Sequence, residues 1–168
     1  RGLQGLAESR GYEHVWGRNM APGAPIRWLW NQRDGGYSKR PFGPCGPALA
    51  EYEWDALTLE PRGGYRGELQ AAKELIRYAT KRSPDLQVYI FAQWPRIGRG
   101  SFDRQWLSDE KDIQNNIRLG FESFLNDVRA AFPDIKPPRM IPVGHAMHLL
   151  RLKIEAGLVP GMTSIFDG

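Results

Sequence analysis

Cysteine is almost absent from this chain, and that sets the first bounds. One residue, Cys45, occurs in 168, so neither an internal disulfide nor a cysteine-built metal cluster can form within the chain. No apolar run approaches the ~20 residues a membrane-spanning helix needs, and no signal-peptide pattern is present. Long runs of one charge are missing too. A net charge of +4 arises from 23 Lys and Arg set against 19 Asp and Glu. These are interspersed, with no basic stripe interleaved with aromatics, so neither a nucleic-acid nor a membrane partner is expected. The phosphate-cradling patterns G-x-G-x-x-G and Walker A do not occur, nor does the G-x-S-x-G elbow. Gly98-Arg99-Gly100 lies in a loop with no helix start behind it. No cofactor is expected.

What is present reads as an α/β chain. The length suits one domain, taken as 1–168, with a sizeable core. Leu86 to Pro95 is a short apolar run rich in β-branched and aromatic residues. It predicts a strand buried on both faces, as in parallel sheets flanked by helices. Trp54 to Pro61 and Arg139 to Val143 are further strand candidates, and Tyr12 to Trp16 predicts a fourth, with His14 structural. Leu69, Ala72, Ile76 and Ala79 fall on one face of a helix over Glu68–Arg82. Ile113, Ile117, Phe121, Phe124, Leu125, Val128 and Phe132 mark the longest helix, and Ala146 to Ala156 another. Two Gly- and Pro-containing stretches, 34–47 and 96–108, read as irregular. Strict alternation of helices and strands predicts an all-parallel sheet.

In such sheets ligands lie beyond the carboxyl ends of the strands. That edge is expected to gather Arg18, Asn19 and Gly23 after the first strand, Glu60 after the second, Gln93 and Trp94 after the third, and Gly144 and His145 after the fourth. A polar set with an aromatic wall suits a small-molecule site. His145 and His148 stand at a spacing that can hold a metal. No further ligand sits at a suitable distance in the sequence, so no metal site is expected.

These same strand ends carry a resemblance. Tyr52-Glu53-Trp54-Asp55-Ala56-Leu57-Thr58-Leu59-Glu60-Pro61 looks like the WD-x-V-x-L-Q strand of SGNH/GDSL-like hydrolases, in particular a bacterial branch associated with carbohydrates. Val88 to Pro95 resembles the next strand of that branch, and Arg139 to Ala146 its I-P-V-G-x-A junction. Ala21-Pro22-Gly23-Ala24-Pro25 falls where the family places the block whose glycine contributes an oxyanion amide. The resemblance implies a three-layer, flavodoxin-like parallel sheet and an esterase acting on O-acyl groups of a carbohydrate or similar small ester, without a cofactor. It implies that Gly23 contributes to the oxyanion side, and Gly23, Asn19, Glu60, Gln93, Trp94 and His145 together are the expected oxyanion and substrate-binding set. Glu60 lies nearest the place of the family's asparagine donor, and a carboxylate accepts rather than donates.

The family's serine block is not recognisable. Ser9, Ser38, Ser83, Ser101, Ser108, Ser123 and Ser164 all fall in helices, loops or caps. Asp167-Gly168 are read as the opening of the family's D-x-x-H block, or as ordinary loop residues just before it. Arg1-Gly2-Leu3-Gln4 reads as the inside of a helix, so the chain is expected to be cut at both ends and inactive as it stands. A secreted or periplasmic parent is left open. The alternative is a non-catalytic flavodoxin-like binding module, or a pseudoenzyme, in which the same edge holds a ligand.

Overall fold

The computed structural model describes residues 2–35, 37–38, 41–62, 65–94, 102, 106 and 117–165. Its centre is a three-stranded sheet of β3 (Ala56–Leu59), β4 (Gln87–Phe91) and β5 (Arg139–Ile141), in that spatial order and parallel throughout. Ala56 pairs with Gln87, and Tyr89 with Arg139. Helix α4 (Tyr65–Thr80) carries the chain from β3 to β4, and α5 (Ile117–Ala131) leads into β5. The protein is thus mixed α/β, with a parallel sheet flanked by helices. Around this unit lie α1 (Gly2–Ser9), α2 (Ile26–Asn31), α3 (Cys45–Glu51), α6 (Val143–Glu155) and a two-residue antiparallel ribbon of β1 (Asn19–Met20) and β2 (Tyr37–Ser38).

Side-chain parity explains the core. Leu86, Val88, Ile90 and Ala92 alternate along β4 and are wholly buried. They join Leu59 of β3, Ala72, Leu75, Ile76 and Ala79 of α4, and Phe121, Phe124, Leu125 and Val128 of α5 in one apolar cluster. The intervening residues Gln87, Tyr89 and Phe91 are only half-buried. β4 is therefore the central strand, as its composition suggests, but one of its faces is sealed and the other partly open. Burying one such apolar side chain contributes about 1.5–3 kcal/mol, so the sealed face carries most of the sheet's hydrophobic stabilisation.

The amino-terminal third departs from the sequence expectation. Tyr12 to Trp16 is not a strand, and Tyr12 and Val15 are exposed. Local composition does not suffice there, because among the described residues no neighbouring strand accepts the backbone hydrogen bonds a strand must make. His14 is likewise in irregular chain. The strands of the chain are therefore not all parallel, since β1 and β2 run antiparallel. The stretch 34–47 is less irregular than expected, because it holds β2 and the start of α3. Pro44 caps α3 and Pro47 lies in its first turn, where the missing N–H costs nothing. Trp54 fixes α3 to the start of β3: its Nε1 donates to the Ala48 carbonyl at 2.9 Å, and its ring meets Phe42 edge-on.

Candidate functional site at the carboxyl edge of the sheet

The hydrogen-bond ladder between β4 and β5 continues past both strands. The Ala92 N–H donates to the Ile141 carbonyl at 3.0 Å, and the Gly144 N–H donates to the Ala92 carbonyl at 3.2 Å. This second bond joins the end of β4 to the first turn of α6. Gln93 and Trp94 therefore emerge beside Gly144 and His145. Gln93 is half-buried, while Trp94 is 41% exposed and presents an aromatic surface to solvent.

Behind that edge stands Trp106, fully buried. Its carbonyl accepts from Arg118 Nε on α5 at 3.1 Å, and its indole lies on Gly144. His145 meets it edge-on, with ring centroids 5.3 Å apart. His148 instead stacks on Phe102 at 6.0 Å. The two histidines thus sit against different aromatic rings, and among the described residues no group of His, Cys, Asp and Glu is placed to hold a metal ion. The indole N–H of Trp106 and Nδ1 of His148 are enclosed, with no hydrogen-bond partner among the described residues.

At the end of β3 the Glu60 carboxylate accepts from Arg62 Nη2 at 2.6 Å. The Arg62 backbone N–H donates to Glu68 Oε2 at 2.9 Å. Glu68 is 2% exposed and lies on the buried face of α4. It also accepts from the backbone N–H groups of Ile26 at 2.8 Å and Arg27 at 3.4 Å, the first two residues of α2. One buried carboxylate thus ties the β3 exit to the start of α2. Such charge-assisted bonds to backbone amides are roughly twice as strong as neutral ones.

Gly23 lies just before α2. It adopts φ +74°, in a turn closed by the Ala24 N–H donating to the Ala21 carbonyl at 3.0 Å. Pro at the second position and a left-handed Gly at the third make this a type II turn, which is reason enough for the glycine. Asn19 goes elsewhere. Its enclosed side-chain amide lies beside the Cys45 thiol, towards the end of α2 remote from Glu68. Neither the nitrogen nor the oxygen of that amide has a hydrogen-bond partner among the described residues. Burial pushes the Cys45 thiol above its ordinary pKa, and Asn19 opposes that shift.

The Gly144–Ala92 bond therefore sets the start of α6, which carries His145, beside the backbone that leads into Gln93 and Trp94, and hydrogen bonds through Arg62 and Glu68 link Glu60 to the α2 entry that follows Gly23. They do not bring Asn19 to that edge. Asp167 lies outside the described residues. Arg62, Glu68, Phe102 and Trp106 were not singled out by sequence reasoning. Glu68 had a readable signal, since it shares the i, i+4, i+8 register of Ala72 and Ile76. Phe102 and Trp106, four apart, had a helical spacing inside a stretch that read as irregular.

No protein-family profile matches the chain, and neither a curated protein nor a solved structure is detectably similar to it.

Proposed function

We propose that the carboxyl edge of β3, β4 and β5 is the substrate side of an SGNH-like ester hydrolase with a flavodoxin-like sheet, acting on O-acyl groups of a carbohydrate or similar small ester. The observation that carries this reading is the Gly144–Ala92 bond. It sets the start of α6, with His145, beside the chain leaving β4 towards Gln93 and the exposed Trp94, at the strand ends where α/β sheets hold their ligands. Trp94 offers an apolar plane for a sugar ring, and Gln93 and His145 offer hydrogen bonds to its hydroxyls. In the chemistry this implies, a serine attacks the acyl carbonyl, a histidine takes the serine proton, and N–H donors meet the charge that develops on oxygen.

The reading gives this chain the walls of the site and no nucleophile. Ser83 is buried at the opposite, amino end of the strands, where its Oγ accepts from the Trp54 N–H at 2.9 Å. Ser9 Oγ donates within α1 to the Leu6 carbonyl. That placement is also what favours the second reading, a non-catalytic binding module. The coding sequence on either side of Arg1–Gly168 separates the two. A strand ending in G-D-S or G-N-S upstream, with D-x-x-H at or after Asp167, supports the hydrolase; a full gene lacking both supports the binding module. Turnover of an aryl acetate by the 168-residue chain, abolished by one internal substitution, would show that the nucleophile has been misplaced.

A further inference from the structure

We infer that Arg62 is the anion-binding donor at the exit of β3, with Glu60 as the residue that positions it. The inference rests on the ester-hydrolase reading of this edge and deepens it. That reading calls for an N–H donor where Glu60 stands, and an ionised carboxylate has none. The structure places a donor on that carboxylate: Arg62 Nη2 lies 2.6 Å from Glu60 Oε1, with both side chains about one-third exposed (30% and 38%). A guanidinium has five N–H groups in a rigid fork. Among the described residues, Glu60 is the only partner of the Arg62 guanidinium.

The position of Arg62 is fixed rather than loose. Pro61 beside it is buried, and its own backbone N–H is held by the buried Glu68. The pairing of β3 with β4 ends at Leu59 and Ile90, so Arg62 follows directly on the carboxyl end of β3, the end at which Gln93 leaves β4. A cation held in advance at the ligand edge stabilises negative charge without rearranging when the charge appears. The ligand class that fits is a small anion derived from an acyl group, either the tetrahedral oxyanion or the carboxylate product.

Glu60 plays two opposed parts. It orients the guanidinium and it competes for it. The test is anion binding by this chain, read by calorimetry and by the Arg62 Nε–H resonance, with phenylphosphonate as the tetrahedral probe and benzoate as the carboxylate probe. Arg62→Gln is expected to weaken the tighter probe about tenfold or more, the scale of a hydrogen bond to a charged group. Glu60→Gln is expected to tighten it several-fold, by freeing the fork while keeping an oxygen acceptor. Exposed Arg27→Gln should leave it within about twofold. Tighter phosphonate binding identifies the oxyanion as the ligand, and tighter benzoate binding identifies the product. Unchanged binding in Arg62→Gln would overturn the inference, as would equal weakening in both pair variants, which marks a purely structural strut. Because the readout is binding, failure of this chain to hydrolyse esters leaves the inference standing, and loss of anion binding leaves the hydrolase reading to its own test.

Discussion

Gly144 lies against the indole of Trp106 so closely that a β-carbon at this position would overlap the six-membered ring. The contact closes the space between the start of α6 and the aromatic wall behind the strand edge. Trp106 is fully buried and held to α5 through its carbonyl, so it has little room to retreat. Gly144→Ala is therefore expected to destabilise the protein by about 1–3 kcal/mol, the range for forcing extra volume into a packed interior. Urea unfolding followed by tryptophan fluorescence measures it; a loss under ~0.5 kcal/mol would mean that Trp106 is free to move.

Glu68 accepts three backbone N–H groups from two segments distant in sequence. Glu68→Leu removes the acceptor and leaves those donors enclosed, at about 1–3 kcal/mol for each one left unsatisfied. Glu68→Gln keeps one oxygen and should cost clearly less. The check is site-resolved hydrogen exchange: the Ile26 and Arg62 amides should lose protection in both variants, more so in the leucine one. Unaltered protection at both sites would mean that the carboxylate is not the clamp.

Burial raises the Cys45 pKa, with the Asn19 contact opposing. The reactive thiolate is therefore scarcer in the folded chain than in the unfolded one. The sign of the stability effect follows. A folded pKa above the unfolded value stabilises the protein fully below the ordinary thiol value, and that contribution fades as pH rises through the folded value. Native Cys45 should react with an aromatic disulfide much more slowly than in urea. The Cys45→Ser variant should lose less stability than the parent between pH 7 and pH 10. Equal labelling rates in the folded and unfolded chains would contradict this.

Among the described residues β3 pairs on one side only, and its exposed residues Ala56 and Thr58 carry no charge. A free, uncharged edge invites pairing with another chain. The purified 168-residue chain is expected to be marginally stable or to self-associate. Thr58→Lys should lower light scattering and shift gel filtration towards monomer, with a stability change within about 0.5 kcal/mol, as for other surface changes. A parent chain that is monomeric at high concentration and melts sharply at high temperature would refute the expectation.

The legible parts of the fold were those in which one pattern meets one physical requirement. The apolar, β-branched and aromatic run from Leu86 to Pro95 declared a strand, whereas the sealing of only one face, by Leu86, Val88, Ile90 and Ala92, shows in the structure alone. Phe121, Phe124, Leu125 and Val128 declared a helix by falling on one face. Tyr12 to Trp16 carried strand-favouring residues, but a strand also needs a partner, and pairing between distant segments leaves no mark on local composition. The same holds at the site. Gln93, Trp94 and His145 could be placed from strand ends, because sheet topology carries them there. The Glu60–Arg62 pair and the Glu68 clamp depend on side-chain reach across loops, which residue spacing does not encode.

The sheet's sequential order bears on how the protein assembles. Ala56 meets Gln87 across a shorter span of chain than separates Tyr89 from Arg139. The difference in loop-closure entropy is only ~0.4 kcal/mol, a factor of about two. It favours β3–α4–β4 as the earlier unit, with β5 joining later. Pulse-labelled hydrogen exchange during refolding should then protect Val88 and Ile90 before Met140. Until β5 docks, the edge of β4 that it covers stays open, and the Gly144 bond that completes the ligand edge has not formed. Binding competence is then the last thing this chain acquires as it folds, and the first to go when β5 frays.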